Sequence, residues 1–304
     1  MKKMFLIALA ISSLQFSFVS SAHAQLLYRI SGNGLEYPSY IVGTYHLAPG
    51  SFADSIPGLK AALTSCKQIY GELDIQDALS EENKAKYEKA QYLPEGVTLS
   101  SLLSKEQMER LNALMRETMG VDMTNPALAA QFDKMTPATI STSLTVIAYM
   151  KKMPTINLMD LLDSHLQVLA QKQGLQIRGF ETVEFQAEVL YGTPLEQQVE
   201  ELMCIVDNFD DAIEMAEFVT AAYFSQDLGR LQEEIDGESE GPCTTSPEDD
   251  NKLVYDRNAN WVKAMPGIMG QAPTFFAVGA AHLCGDKGVL RMLEEAGYKV
   301  EGVK

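Results

Sequence analysis

Two short stretches near opposite ends of the chain share one pattern of residues. Residues 40–47 read "YIVGTYHL" and residues 276–283 read "FAVGAAHL", so each runs through Val-Gly to a histidine three places after the glycine. Imidazole can transfer protons near neutral pH or bind a metal ion through a ring nitrogen. The repeated context of His46 and His282 therefore predicts a common chemical role rather than two unrelated turn residues.

A third ligand is expected beside the two histidines, because protein metal sites seldom consist of two side chains. Glu72 in "QIYGELD" is the first candidate, and Asp74, two residues further on, is the reserve. His46, His282 and Glu72 together predict a site for a divalent metal ion, and Zn, Mn and Co all accept imidazole ligands. The competing interpretation of Glu72 is an exposed acid at the end of a strand.

The elements that must position these residues are short strands at the two ends of the chain. Strand-like runs are "LLYRIS", "YIVGTYHL", "KQIYGELDI", "LQIRGFE" and the segments 273–278 and 298–301. Gly43 and Gly279 let the chain turn sharply as their strands end. Both histidines are then expected at the carboxyl ends of strands, where open α/β sheets bind their ligands.

A long helical region separates the strands. Apolar residues recur there at three- and four-residue spacing, so we predict that residues 80–175 and 192–270 are mainly helical. His165 falls on the leucine stripe of one such helix and is assigned to the edge of the core. The pattern indicates an α/β fold, in which a mixed sheet comes from the N- and C-terminal parts of a single domain over residues 25–304.

The first 24 residues have the composition of a secretory signal peptide. A basic start at Lys2 and Lys3 leads into an apolar stretch, which ends in the small-x-small sequence Ala22-His23-Ala24. Interspersed polar residues keep the apolar run below the ~20 residues that a membrane span needs. We expect cleavage after Ala24, a periplasmic or secreted protein, and no membrane span in the mature chain.

The net charge of the chain limits the classes of partner that it can bind. With 41 acidic and 24 basic residues, the formal net charge is −17 at pH 7. Such a surface repels phosphates, which argues against nucleic acid as a partner and favours solubility.

Four cysteines allow up to two disulfides in an exported protein, with three possible pairings. Cys66 precedes one predicted strand and Cys284 follows another, while Cys204 and Cys243 fall in the middle segment. The favoured pairing is therefore 66–284 with 204–243, and the alternative is buried thiols. The sequence contains no Cys-x-x-Cys motif of the thiol redox type.

Five stretches of the chain, taken in order, resemble the TraB/GumN family, relatives of the Tiki proteins. They are "IVGTYHL", "GELD", "RGFETVEFQ", "DRNANWV" and "AVGAAHLCGDKGVLRMLEEAGYKV". A single Gly-x-x-His is a weak signal, whereas the ordered set spans nearly the whole mature chain. The resemblance implies a fold similar to that of erythromycin esterases and of a haem-binding group of exported bacterial proteins.

The resemblance also implies site residues. The Tiki branch is described as metal-dependent proteases that require both motif histidines and a glutamate, which correspond here to His46, His282 and Glu72. Glu181 with Gln186, and Arg257 with Asn258, match two further motifs, for which the family supplies no firm role.

Physical roles can be assigned to these additional residues. Glu181 can accept a hydrogen bond from an imidazole N–H and orient that ring, or simply place negative charge at a helix N-terminus. Arg257 can stabilise an oxyanion or form a structural ion pair with a buried carboxylate. Gln186 and Asn258 are expected to satisfy buried backbone, and Trp261 to pack its helix onto the domain.

The preferred hypothesis is a metal-dependent hydrolase that cleaves a peptide bond, the substrate class that the resemblance implies. The metal would lower the pKa of a bound water, and Glu72 would complete its ligands or act as general base.

A second hypothesis is a hydrolase without a metal ion, in which a histidine acts directly as the base. A third is a non-catalytic module that binds haem, a metal ion or a peptide. A fourth is a protein that sequesters a partner through its acidic helices.

Overall fold

Six short strands form one mixed sheet in the computed structural model, which describes residues 25–152, 157–238, 243 and 246–304. The predicted signal peptide lies outside the described residues. The strands are β1 Leu27–Ser31, β2 Ser39–Thr44, β3 Gln68–Gly71, β4 Gln176–Gly179, β5 Thr274–Gly279 and β6 Lys299–Gly302. Their order across the sheet is β4-β3-β5-β2-β1-β6. The pairs β4–β3, β3–β5 and β5–β2 are parallel, while β1 pairs antiparallel with β2 and β6.

Helices make up most of the rest of the described chain. They are α1 Leu59–Ser65, α2 Ile75–Ala78, α3 Glu81–Ala90, α4 Leu99–Leu102, α5 Lys105–Met119, α6 Pro126–Phe132, α7 Pro137–Lys152, α8 Leu162–Lys172, α9 Val183–Tyr191, α10 Leu195–Asp207, α11 Phe209–Phe224, α12 Leu228–Glu238, α13 Pro247–Asp250, α14 Asp256–Gln271 and α15 Val289–Glu295. Two 3₁₀ helices (Gly50–Ser55 and Ala280–Leu283) and a π-helix (Asn251–Tyr255) complete the elements. The predicted α/β fold with a mixed sheet is confirmed.

The central strands are apolar because both of their faces are covered. In β5 the residues from Thr274 to Val278 are all buried, as expected for a parallel strand between helical layers. Its neighbours β3 and β2 come from the N-terminal part of the chain, so β5 joins the two ends of the sequence in one sheet. A second apolar cluster lies among the helices, around Leu111 in α5 and Leu144 in α7.

The helical middle follows its local sequence signals. Helix α5 begins with a capping box, in which Ser104 and Gln107 exchange side-chain-to-backbone hydrogen bonds, and it ends at Gly120 with φ +76°. Its buried face is formed by residues three and four places apart. Within the described part of the chain, no helix combines the length and the apolar character needed to cross a membrane.

The predicted cysteine pairing is half correct. Cys204 and Cys243 form a disulfide, which ties the end of α10 to the segment before α13. The predicted 66–284 pair is wrong, because both side chains are buried thiols. Cys66 precedes β3 and Cys284 follows the neighbouring parallel strand β5, so the two residues lie beyond opposite ends of adjacent strands.

Candidate active site

A small cavity lies at the carboxyl ends of β2, β3 and β5, and is called here the site cavity. Its volume is about 170 Å³, below the ~300–1,000 Å³ of pockets that bury drug-sized ligands. The size suits a single amino-acid side chain better than a macrocycle such as haem. Its polar lining consists of His46, Glu72, Asp163, Gln167 and Gln186.

His46 forms one wall of the site cavity and is paired with a carboxylate. It follows β2 by two residues, and its Nδ1 lies 3.2 Å from Oδ2 of Asp163. The other carboxylate oxygen of Asp163 accepts a hydrogen bond from Oγ1 of Thr44 at 2.5 Å, which fixes the plane of the carboxylate. Hydrogen bonding and charge from Asp163 raise the pKa of His46 above its ordinary value. The side chain of His46 is 69% exposed, so solvent reaches the ring.

Helix α8 positions both sides of the site cavity. Asp163 lies in its first turn, where a carboxylate is favoured by the helix dipole. One turn later, buried Gln167 donates to the carbonyl of Leu73 at 2.7 Å and accepts from the amide of Ile75 at 2.9 Å. The same helix face therefore holds the imidazole of His46 and the chain that follows Glu72.

Glu72 is a buried carboxylate held by three donors. It follows β3 directly, and its side chain is 10% exposed. Oε1 accepts from the amide of Gly279 at 2.8 Å, and Oε2 accepts from Arg257 at 2.6 Å and from Gln186 at 3.1 Å. Burial alone would raise the pKa of Glu72, but electrostatic interaction with the rings of His282 and His46 and with Arg257, together with the Gly279 hydrogen bond, outweighs burial and lowers it. Glu72 is therefore ionised near neutral pH.

Arg257 uses all five of its N–H donors. Nε and Nη2 donate to the two oxygens of Glu181 at 2.8 and 2.9 Å, and Nη2 also reaches Glu72. Nη1 donates to the carbonyl of Leu253 at 2.9 Å and contacts Nε2 of His282 at 3.2 Å. Burial would lower the pKa of Arg257, but Glu181 and Glu72 outweigh it and raise that pKa. With no N–H left over, this guanidinium cannot donate to an oxyanion in the observed arrangement.

Glu181 anchors the guanidinium rather than an imidazole. Its Oε1 accepts from Nε of Arg257 and from the indole N–H of Trp261 at 2.9 Å. Its Oε2 accepts from Nη2 of Arg257 and from Gln186 at 3.1 Å. These four bonds fill the acceptor capacity of the carboxylate. Trp261 therefore does more than pack its helix, because its indole N–H also holds the Glu181 carboxylate in position.

His282 is a neutral ring with a defined tautomer. Arg257 can only donate, so Nε2 of His282 accepts and the ring proton must sit on Nδ1. Nδ1 then donates to Oδ1 of Asn258 at 2.7 Å, and the Asn258 amide is itself oriented by donating to the carbonyl of Lys287. Burial lowers the pKa of His282 to about 4. This histidine is therefore uncharged near neutral pH.

The two motif glycines serve close approach rather than unusual backbone angles. Neither Gly43 nor Gly279 has a positive φ. The prediction that these glycines allow a sharp turn through unusual backbone angles is therefore wrong. A Cβ on Gly43 would lie 2.9 Å from Cα of Ala280, in the 3₁₀ turn that carries His282. A Cβ on Gly279 would lie 3.3 Å from Oε1 of Glu72. Gly43 therefore keeps space for the 3₁₀ turn after β5, and Gly279 keeps space for the Glu72 carboxylate.

The structure brings most of the predicted residues together, in two layers. His46, Glu72 and Gln186 line the site cavity. Behind Glu72 lies a buried group, called here the arginine cluster, which consists of Arg257, Glu181, His282, Asn258 and Trp261. Nε2 of His282 is 3.8 Å from Oε1 of Glu72, so this carboxylate connects the two layers.

Asp74, the reserve candidate, lies apart from the site, and so does His165, which was assigned to the edge of the core. Asp74 caps the N-terminus of α2 by accepting from the amides of Gln76 and Asp77. His165, on α8, contacts Asp160 with its Nδ1 at 2.9 Å. The sequence analysis missed Asp163 and Gln167, although a signal existed. An Asp and a Gln four residues apart flank buried Leu166, and such polar pairs on a helix face share one side of the helix.

The arrangement of the predicted metal ligands does not fit a bound metal ion. The described residues contain no group of three or more His, Cys, Asp or Glu side chains placed to hold one. Nε2 of His282 and Oε2 of Glu72 both face the guanidinium of Arg257. Nδ1 of His46 faces Asp163, so only Nε2 of this ring could bind an ion. A divalent ion held by Glu72 and His282 would thus be placed against a fixed positive charge.

Comparison with known proteins supports the motif analysis. The sequence model of the TraB/PrgY/gumN family matches residues 26–302. Three curated relatives are each 25% identical to this chain: "Metalloprotease TIKI2" of Danio rerio, "Metalloprotease TIKI homolog" of Nematostella vectensis and "Metalloprotease TIKI1" of Xenopus tropicalis. The alignments cover 87%, 88% and 86% of this chain and 58%, 65% and 59% of the relatives, so the chain spans about three fifths of their length. No solved structure gave a significant match.

Proposed function

Because the chain belongs to the TraB/PrgY/gumN family, we propose that it is an exported hydrolase that cleaves peptide bonds. The printed names of the three relatives support a protease. The observation that carries the proposal is the pairing of His46 with Asp163 at the wall of a cavity that ionised Glu72 also lines. A base oriented by a carboxylate beside a fixed negative charge is an arrangement suited to activating water.

His46 is the proposed general base. Asp163 holds Nδ1, and above the raised pKa of the ring Nε2 accepts a proton from water. The resulting hydroxide attacks the carbonyl carbon of the scissile bond. The C–N bond then breaks as the imidazolium returns the proton to the leaving nitrogen, so the step consumes one water and yields a carboxylic acid and an amine. Asp163 stabilises the positive charge that His46 carries between these two transfers.

Glu72 is proposed to hold the attacking water or an N–H group of the substrate. Among the described residues, three donors occupy three of its four acceptor positions, and one position on Oε1 stays open. Arg257 and Gln186 keep this carboxylate ionised and fixed in direction. The arginine cluster would therefore act through Glu72 rather than by touching the substrate.

Two features support export. The first 24 residues match the pattern of a signal peptide, and the Cys204–Cys243 disulfide is of a kind that persists in oxidising compartments. The test is cell fractionation with mass spectrometry of the intact protein. A periplasmic or secreted product that begins at Gln25 is expected, and a cytoplasmic product that keeps Met1 would contradict this part of the proposal.

The experiment on activity is digestion of a peptide library by the purified protein, with new termini read by mass spectrometry. His46→Ala should lower the cleavage rate by about 10²–10⁴-fold, the usual contribution of a general base. His165→Ala is the matched control, because that histidine lies on α8 in a separate contact with Asp160. The His165→Ala protein should cleave like the wild type. Full cleavage by His46→Ala, or no cleavage by the wild type, would refute the proposal.

A metal-dependent hydrolase is the second candidate, and the names of the relatives favour it. His46, His282 and Glu72 would be the ligands, but Arg257 would have to leave Glu72 and His282 first. Loss of cleavage after chelator treatment, with recovery on adding Zn²⁺, Mn²⁺ or Co²⁺, would favour this candidate. Cleavage unaffected by chelator would favour the histidine base.

A further inference from the structure

We infer that Arg257 is a built-in cation that occupies the position a divalent metal ion would take between Glu72, Glu181 and His282, so that the site of this chain works without a bound metal. The inference rests on the proposed function for the assignment of this site to hydrolysis. The identity of the cation held between the two carboxylates and the imidazole can be measured without any substrate.

The acceptor atoms around Arg257 are of the types that bind a divalent transition-metal ion. Two carboxylates and one imidazole nitrogen surround the guanidinium, with contacts of 2.6 Å to Glu72, 2.8 and 2.9 Å to Glu181, and 3.2 Å to His282. Carboxylate oxygen and imidazole nitrogen are ligands that Mn²⁺, Co²⁺ and Zn²⁺ accept. In this chain each of those atoms instead accepts an N–H bond from one side chain.

The guanidinium is fixed in place. Its side chain is 7% exposed, and Nη1 also donates to the carbonyl of Leu253, in the π-helix that leads into α14. Arg257 lies over the Trp261 ring, with Cζ 4.9 Å from the ring centroid. A guanidinium stays charged at all physiological pH values, so it cannot be neutralised to admit a metal. Displacing it would leave a buried cation without its carboxylate partners.

The surrounding groups match a guanidinium better than a metal. Gln186 donates its amide N–H groups to Oε2 of Glu72 and Oε2 of Glu181, which fills the acceptor position that Arg257 leaves on each of these two oxygens. Asn258 holds the His282 ring so that its Nε2 lone pair points at Nη1. Planar, multidentate hydrogen bonding of this type is what distinguishes arginine from a point charge.

Removing the guanidinium should uncover a metal site. In Arg257→Ala, Glu72 and Glu181 would face each other without a cation, and Nε2 of His282 would lose its donor. These three side chains would then form the group of ligands that the wild type does not present. We expect this variant to bind Mn²⁺, Co²⁺ or Zn²⁺, whereas Arg257→Lys, which keeps a positive charge, should not.

The experiment is elemental analysis of the purified full-length protein, combined with thermal unfolding in the presence and absence of MnCl₂, CoCl₂ and ZnCl₂. The wild type should contain only substoichiometric metal, and its Tm should not rise with any of the three salts. Arg257→Ala should bind stoichiometric metal with a metal-dependent rise in Tm. The double variant Arg257→Ala/Glu72→Gln should lose that binding, because it lacks one ligand.

Three results would overturn the inference. The first is stoichiometric metal in the wild type that is lost in Glu72→Gln or His282→Ala. The second is a folded Arg257→Ala protein that binds none of the three ions, and the third is equal metal binding by Arg257→Lys. If Arg257→Ala does not fold, the wild-type measurement decides alone. A metal-free wild type that cleaves no peptide refutes the proposed function and leaves this inference standing. A wild type that binds stoichiometric metal at this site and cleaves peptides refutes the inference and leaves peptide-bond hydrolysis standing.

Discussion

Nη1 of Arg257 lies 3.2 Å from Nε2 of His282, and this contact sets the protonation of the imidazole. Because a guanidinium can only donate, the ring must be neutral, with its proton on Nδ1. The two motif histidines are therefore used in opposite ways. His46 is paired with a carboxylate that favours its charged form, whereas burial and the neighbouring Arg257 cation disfavour the charged form of His282.

Stability should fall as the pH is lowered through the range in which only the unfolded chain protonates His282. The pKa of this ring is about 4 in the folded protein and 6.5 for an ordinary histidine. Between these values the unfolded state binds the extra proton, so the free energy of unfolding decreases with falling pH, by ~1.4 kcal/mol per pH unit for one such group. In His282→Gln this slope should be smaller. Urea unfolding followed by circular dichroism measures it, and equal slopes in both proteins would contradict the assignment.

Cleavage should depend on pH through His46. The base form of its ring exists above its pKa, which Asp163 raises, so the rate should increase with pH across that pKa. Asp163→Asn removes the charge and lowers the pKa. The rising limb should then move to lower pH, and the maximal rate should drop by about 10–100-fold as ring orientation is lost.

Asp160→Asn is the matched control for this pH profile, since it makes the same change at a carboxylate paired with His165. Its profile should overlay that of the wild type. A rising limb that stays in place in Asp163→Asn would show that another group titrates.

The buried charges of the arginine cluster should be strongly coupled. Arg257→Met leaves Glu72 and Glu181 as buried carboxylates without a cation, and breaking such a pair costs about 3–5 kcal/mol. Adding Glu181→Gln removes one of the uncompensated charges. The double variant should therefore be more stable than Arg257→Met alone, although Glu181→Gln by itself destabilises the wild type. A double-mutant cycle from urea unfolding tests this, and simple additivity of the two costs would contradict it.

Two of the four cysteines should react only after unfolding. Burial raises the pKa of Cys66 to about 12, and Cys284 is buried as well. The native protein should therefore take up no alkylating agent. Unfolding without reductant should expose two labelling sites, and reduction of the Cys204–Cys243 bond should add the other two. Mass spectrometry counts the labels, and labelling of Cys66 or Cys284 in the native protein would contradict the burial.

The strand-end residues could be predicted because they obey local rules. His46, Glu72 and His282 each follow an apolar run that forms a central parallel strand, and the carboxyl ends of parallel strands meet at one edge. The strand order could not be derived in this way, since pairing between distant segments leaves no local signal. The placement of β5 between β3 and β2 is what brings Glu72 within 3.8 Å of His282.

The helical contribution to the site was harder to predict. The stripe of leucines in α8 indicates a buried face, but it does not show whether Asp163 or His165 points toward the sheet. That choice depends on the rotation of the helix about its axis, which tertiary packing sets. The role of Gly43 and Gly279 was hard to predict for the same reason. The sequence shows that each lacks a Cβ, but it does not show which neighbouring group needs the space.

Trp261 is the only tryptophan of the chain, and its ring centroid lies 4.4 Å from that of His282 while its N–H binds Glu181. Its fluorescence consequently originates entirely from the arginine cluster. Emission wavelength and quenching thus provide a built-in optical signal for events at this centre. Such a signal needs no attached dye and no knowledge of the substrate, so candidate ligands can be screened by titration before any turnover is detected.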